Sequence, residues 1–163
     1  MSAGLAPASV DKTHSKESLR LWLRLLTCES MLTQHVRTKL REEFGITLPQ
    51  FDVLAELDHV ESPQTMTELS NNLMVSNGNI TGVVDRLVRD NFVERLPSPG
   101  DRRVQLITLS EKGIKEFRNM ASQHEKWIGE SFAELEMEDI QQITNLLNKA
   151  NNKLKIKFGK TTR

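Results

Sequence analysis

Apolar residues recur at helical spacing through most of the chain. Leu21, Leu25, Cys28, Leu32, Val36 and Leu40 follow one another at steps of four, three, four, four and four, one stripe of a long helix predicted from Lys16 to Phe44. Leu19, Trp22, Leu23 and Leu26 widen that stripe at its start. The first half of the helix is therefore apolar on more than one side, which calls for a second chain to cover it. Gly45 marks its end. Thr47-Leu48-Pro49-Gln50 reads as a capping box with proline in the first turn, opening a helix that turns Phe51, Leu54, Leu57 and Val60 inward. After a break at Glu61-Ser62-Pro63-Gln64, a second capping box, Thr65-Met66-Thr67-Glu68, starts a short helix with Leu69 and Leu73 buried. Met74-Val75 is a tight connection, and Ser76 caps a helix running to about Asn91. The period then shortens to two: residues 92–96 and 104–109 predict strands around the turn Pro97-Ser98-Pro99-Gly100-Asp101. Ser110-Glu111 caps a helix to about Phe132. A last helix from about Glu138 sets Ile140, Ile143, Leu147, Ala150 and Leu154 on a heptad-like seam suited to a partner helix.

The pattern gives a mainly α chain with a small β-hairpin, divided into a flexible tail (1–15), a dimerisation helix (16–45), a winged helix-turn-helix (46–110) and C-terminal dimerisation helices with a basic tail (111–163). Composition narrows the function. Of 163 residues, 37% are hydrophobic and 27% charged, lean for a self-sufficient globule and fitting one that completes its core by oligomerising. The 22 Lys and Arg balance 22 Asp and Glu, which excludes a uniformly basic nucleic-acid coat but not local charge. One cysteine excludes an internal disulfide framework and a multi-thiolate metal site. No apolar run approaches a membrane span, and the first 16 residues lack a signal pattern, so the chain is expected in the cytoplasm. No nucleophile–base spacing or phosphate-cradling glycine loop suggests an enzyme or a cofactor. His14, His35, His59 and His124 lack metal-ligand spacing.

Chemistry concentrates in the helix after Ser76. Ile80, Val83, Val84, Leu87 and Val88 make a clean buried stripe. At 100° per residue, the opposite face carries Gly78, Gly82 and Arg89, flanked by Asn79 and Arg86 on one side and Thr81 and Asp85 on the other. Two helical glycines, each costing about 1 kcal/mol relative to alanine, suit close approach to a duplex, and asparagine can pair with adenine in the major groove. Alone, this helix reads equally well as a neutral surface helix. The hairpin tip Gly100-Asp101-Arg102-Arg103 breaks the tie, because arginine suits the negative potential of a narrow minor groove, and Asp101 can hold Arg103 in one orientation.

With these residues the chain resembles the MarR family of bacterial transcriptional regulators. The likeness rests on residues 66–87, on Asn91-Phe92-Val93-Glu94-Arg95, and on Asp101-Arg102-Arg103 followed by Leu109-Ser110-Glu111-Lys112-Gly113, where Ser110 replaces the family's usual threonine. It runs from about Leu19 to Leu154. The resemblance implies a homodimer with interleaved terminal helices, binding a pseudo-palindromic double-stranded operator. Arg103 is then the minor-groove residue, Arg102 a phosphate contact, and Gly78, Asn79 and Gly82 the base-reading positions. Gly82 stands where many members carry a long basic side chain, leaving Asn77, Asn79 and Thr81 as the readers beside the Ser76 cap. Arg86, Thr65 and Thr67 are phosphate candidates. Trp22, Leu26, Ser30, Met31, His35 and Phe51 are the candidates for an effector cleft. The stretch 73–82 resembles the branch controlling aromatic-acid breakdown, implying a repressor released by an aromatic acid or its coenzyme A thioester. Alternatives are oxidant sensing through Cys28, although its place in the apolar stripe predicts burial and inertness, and a winged-helix module that binds protein. Acids over 130–139 and bases from Lys149 onward match the dipole of the last helix. The other reading of the bases is a tail touching a partner chain or flanking DNA.

Overall fold

The computed structural model describes residues 11–60, 62–74, 76–101 and 103–159, with only the backbone at Asn77. Expectations for the tail over 1–10, for Val75, Arg102 and the Asn77 side chain, and for Lys160 and Arg163 lie outside the described residues. The elements run α1 (Lys12–Phe44), α2 (Leu48–Val60), β1 (Gln64–Thr65), α3 (Met66–Asn72), α4 (Asn77–Arg89), β2 (Val93–Pro97), β3 (Gln105–Leu109), α5 (Glu111–Ser131) and α6 (Met137–Phe158). The architecture is a mainly helical winged helix-turn-helix. Helix α1 starts at Lys12, earlier than the periodicity indicated, because residues 12–15 are helix-compatible without contributing to an apolar stripe.

The chain divides into two compact units, residues 1–35 and 36–163. In the first, the described residues are one exposed helical segment. Leu19, Leu21, Trp22, Leu23 and Met31 are all more than half exposed. Cys28 is exposed too, which corrects the expectation of a buried thiol: the stripe it belongs to has no covering element within its own unit.

The second unit holds the core. Val36 and Leu40 join Ile46, Phe51, Val53, Leu54 and Leu57, the α3–α4 residues Leu69, Ile80, Val84 and Leu87, the strand residues Val93 and Ile107, and Phe117, Met120 and Trp127 of α5. Val60, expected inward, is 39% exposed as the last residue of α2. Capping boxes form where expected: the Thr47 N–H donates to Gln50 Oε1 at 2.9 Å, and Thr65 and Glu68 cap α3 reciprocally. The sheet has three antiparallel strands in the order β1-β3-β2, one more than the hairpin expected. Strand β1 is two residues long, pairing Gln64 with Ile107 and Thr65 with Leu106, and lies inside a capping sequence where no alternation can develop. Helix α6 has no buried residue; Ile143, Leu147 and Leu154 of its seam are exposed. Among the described residues no helix is long and apolar enough to cross a membrane.

One junction ties α4 to α5. Asn91 takes φ 60°, a left-handed turn that asparagine tolerates, and Phe92 N–H returns to Leu87 O at 2.9 Å. Ser110 Oγ donates to Asn91 O at 2.7 Å, and the Ser110 N–H donates to Phe92 O at 3.0 Å. Lys112 Nζ donates to Asp90 O at 2.8 Å. Gly113 packs so closely here that a Cβ would lie 1.9 Å from Phe92 O. Gly113→Ala therefore forces backbone apart, and we expect a loss of about 1–3 kcal/mol of stability in urea melts, with Gly129→Ala, which meets open space, as the tolerated control.

Candidate nucleic-acid interface

Helix α4 is amphipathic because its apolar residues fall on one side. Ile80, Val84 and Leu87 are fully buried, and Val83 and Val88 are half-buried against the same core. They dock α4 on α2, α3 and β2. Gly78, Asn79, Thr81, Gly82, Asp85, Arg86 and Arg89 are all exposed, as the helical projection requires. A Cβ at Gly78 or Gly82 would meet nothing within 4 Å, so neither glycine is required by packing inside the chain.

The start of α4 is fixed locally. Ser76 Oγ accepts the Asn79 N–H at 3.4 Å, and Met74 in the preceding turn takes φ 53°. Helix α3 is held by Thr65, whose hydroxyl accepts the Glu68 N–H at 3.2 Å and donates to Glu68 Oε2 at 2.9 Å. The Thr65 hydroxyl proton is thus committed within the chain, whereas Thr67 is exposed in the first turn of α3. The hydrogen bonds from the Thr65 N–H and then its hydroxyl hold the Glu68 carboxyl below its ordinary range.

At the wing tip, Asp101 Oδ1 accepts the backbone N–H of Arg103 at 2.9 Å, and the Val104 N–H donates to Asp101 O at 2.9 Å. Asp101 thus holds Arg103 through its backbone: a short carboxylate reaches the N–H two residues on and sets the turn. The Arg103 side chain is exposed.

A cleft of about 430 Å³ opens between α2 and α4, walled by Pro49, Asp52 and Val53 on one side and by Asn79, Gly82, Val83 and Arg86 on the other. Sequence reasoning missed it, since helical periodicity names faces but not the gap that an absent side chain leaves. The residues expected to line an effector cleft fall in both units. Trp22, Leu26, Ser30, Met31 and His35 are exposed in the first unit. Phe51 is buried in the second, 5.6 Å from the Phe117 ring and 5.1 Å from the His124 ring. Burial pushes the His124 imidazole below its ordinary pKa, with Asp52 opposing the shift. Among the described residues no cluster of His, Cys, Asp or Glu could hold a metal.

A capped recognition helix with an open polar face beside an arginine-tipped hairpin defines a winged helix-turn-helix DNA-binding protein. The sequence profile of the MarR family matches residues 46–104. The chain is 30% identical over 139 residues to the transcriptional activatory protein BadR of Rhodopseudomonas palustris, covering 83% of this chain and 79% of that one. It is 27% identical over 135 residues to the HTH-type transcriptional regulator MhqR of Bacillus subtilis, covering 83% and 92%. Apo MarR of E. coli superposes with a TM-score of 0.69 at 28% identity over 78% of this chain and 94% of that one. A MarR family transcriptional regulator from Silicibacter pomeroyi superposes with a TM-score of 0.76 at 24% identity, covering 88% and 99%. The chain belongs to the MarR family and is a DNA-binding transcriptional regulator; its relatives are regulators, not enzymes.

The Thr65–Glu68 cap gives a pH-dependent prediction. Because the folded-state pKa of Glu68 is depressed, its contribution is present above the unfolded value and is lost as pH falls through the folded value. Thr65→Ala should cost about 1 kcal/mol at neutral pH and move the Glu68 carboxyl titration upward by NMR. The stability gap from the unaltered protein should narrow in melts as pH falls through the folded-state value of Glu68, where the carboxylate that Thr65 holds is lost.

Proposed function

We propose that this regulator is a homodimer whose two α4 helices enter successive major grooves of a pseudo-palindromic operator while the wings reach the adjacent minor grooves. The observation that carries this reading is the exposed face of α4, with two glycines meeting open space, in one unit with a hairpin on which Asp101 holds the backbone of Arg103. Asn79 and Thr81 read base edges together with Asn77. Gly78 and Gly82 permit close approach, and Ser76 presents the helix start. Arg86, Thr67 and Arg102 meet phosphate, and Arg103 enters the minor groove, its backbone set by Asp101. Thr65 acts through its cap. The exposed apolar residues of α1 and α6 support a dimer built from the terminal helices, with residues 46–110 as the DNA-binding part, and half-sites about 34–36 Å apart follow from the helical repeat.

Regulation follows from geometry. A ligand that favours a dimer whose recognition helices no longer match that spacing lowers operator affinity by population shift. The proposed effector is an aromatic acid or its coenzyme A thioester, acting on Trp22, Leu26, Ser30, Met31, His35 and Phe51, and release of the operator makes the protein a repressor. One relative is named an activatory protein, so a promoter-fusion assay with and without effector decides the direction. Cys28 supports a second reading, since it is exposed in the single chain: oxidation would then release DNA, and Cys28→Ser would abolish that response.

An operator is obtained by selecting bound duplexes from a randomised library. On it, Arg103→Ala should weaken binding about ten- to hundredfold; unchanged affinity would remove the wing from the interface. A panel of phenolic acids and their thioesters should contain compounds that release the duplex. Affinity constant across the panel would end the ligand reading while leaving the DNA reading intact.

A further inference from the structure

One ion pair in the winged unit is absorbed by neither the core nor the readout. Asp85 lies on the exposed side of α4, and its Oδ1 is bonded to Arg95 Nη2 on β2. Residues two apart on a strand share a face. Val93, buried at the start of β2, therefore places Arg95 on the side of the hairpin that packs on α4. Beyond Val93, residues 94–97 are exposed, so the outer half of the wing has no buried anchor of its own on β2. The pair sits where that anchoring ends.

Its energetics argue against a folding role. The two side chains are 35% and 53% exposed, and ion pairs that open to solvent contribute little to stability, while Ile80, Val84 and Leu87 already hold α4. A carboxylate on a helix that approaches phosphate is, by itself, a liability for binding. Paired with Arg95, its charge is offset and its geometry fixes the angle between recognition helix and wing.

We propose that Asp85 and Arg95 are positioning residues that lock the wing to the recognition helix, so that both reach their grooves in register. The inference rests on the DNA-binding reading of α4 and the wing. Without the pair, the hairpin must be ordered at the moment of binding, and affinity falls by the cost of that ordering.

The experiment is a double-mutant cycle of Asp85→Ala, Arg95→Ala and the double variant, each titrated at several salt concentrations with a duplex that the unaltered protein has selected from a randomised library. Melting curves accompany each protein. Each single variant should weaken binding about five- to tenfold, with the salt dependence unchanged and with melting close to that of the unaltered protein. The double variant should be no weaker than either single one, as expected for two residues acting as one unit. Asp85→Asn, which keeps size and polarity, guards against a local folding defect and should fall between. The opposite result overturns the proposal: if Asp85→Ala tightens binding while Arg95→Ala weakens it with a shallower salt slope, Arg95 is a phosphate contact and Asp85 merely repels DNA. Equal affinities for all variants overturn it as well. Failure of the unaltered protein to enrich any duplex would be a different result, striking the DNA reading itself.

Discussion

A helix that offers one face to a duplex must be gripped by the other, and in this chain everything depends on the burial of Ile80, Val84 and Leu87. Each such side chain contributes roughly 1.5–3 kcal/mol when removed from water, enough to seat a 13-residue helix that is weak on its own. Two glycines lie in that helix, and isolated helices of this length are marginal even for alanine-rich sequences. The core therefore carries helical residues that propensity opposes. Freed from packing, the outer face can be chosen for what it meets.

The same constraint explains how the helix ends. Ser76 fixes its start and Asn91 its exit, and the chain leaves through a turn whose carbonyls are claimed by Ser110 and Lys112. The contact of Gly113 with Phe92 leaves no room for a side chain. Helix α5 thereby bears directly on the C-terminal end of α4. Since α5 also packs Phe117 and His124 against Phe51 of α2, a shift of α5 would be passed to the recognition helix through close-packed groups instead of being absorbed by slack.

Much of this was legible in the sequence, for reasons that differ from element to element. The stripe of α4 and the capping boxes at Thr47 and Thr65 announce themselves because periodicity and caps are local. Strand β1 was hidden: two residues cannot display a period, and its partners lie some forty positions away in β3. That Asp101 can hold Arg103 is legible from their spacing at the tip, but that it does so through the backbone N–H is a matter of turn geometry that no pattern displays. Cys28 was misjudged because a stripe announces that something must cover it without saying whether the cover belongs to the same chain. The cleft between α2 and α4 and the bond between Asp85 and Arg95 are tertiary facts, joining residues that no local pattern relates.

That last class of feature is where the function is tuned. The open face of α4 presents neutral groups at its start and arginines toward its end, in a chain whose charges balance overall. Long-range attraction to DNA is therefore modest, and affinity has to come from fit at short range. Fit at short range requires that helix and wing hold a common orientation before contact, because each element ordered during binding subtracts from the affinity gained. A hydrogen bond to Asp101 sets the backbone at Arg103, and an ion pair joins Asp85 of the helix to Arg95 of the wing. A neutral regulator of this kind depends on preorganisation in the way that a strongly basic one depends on charge.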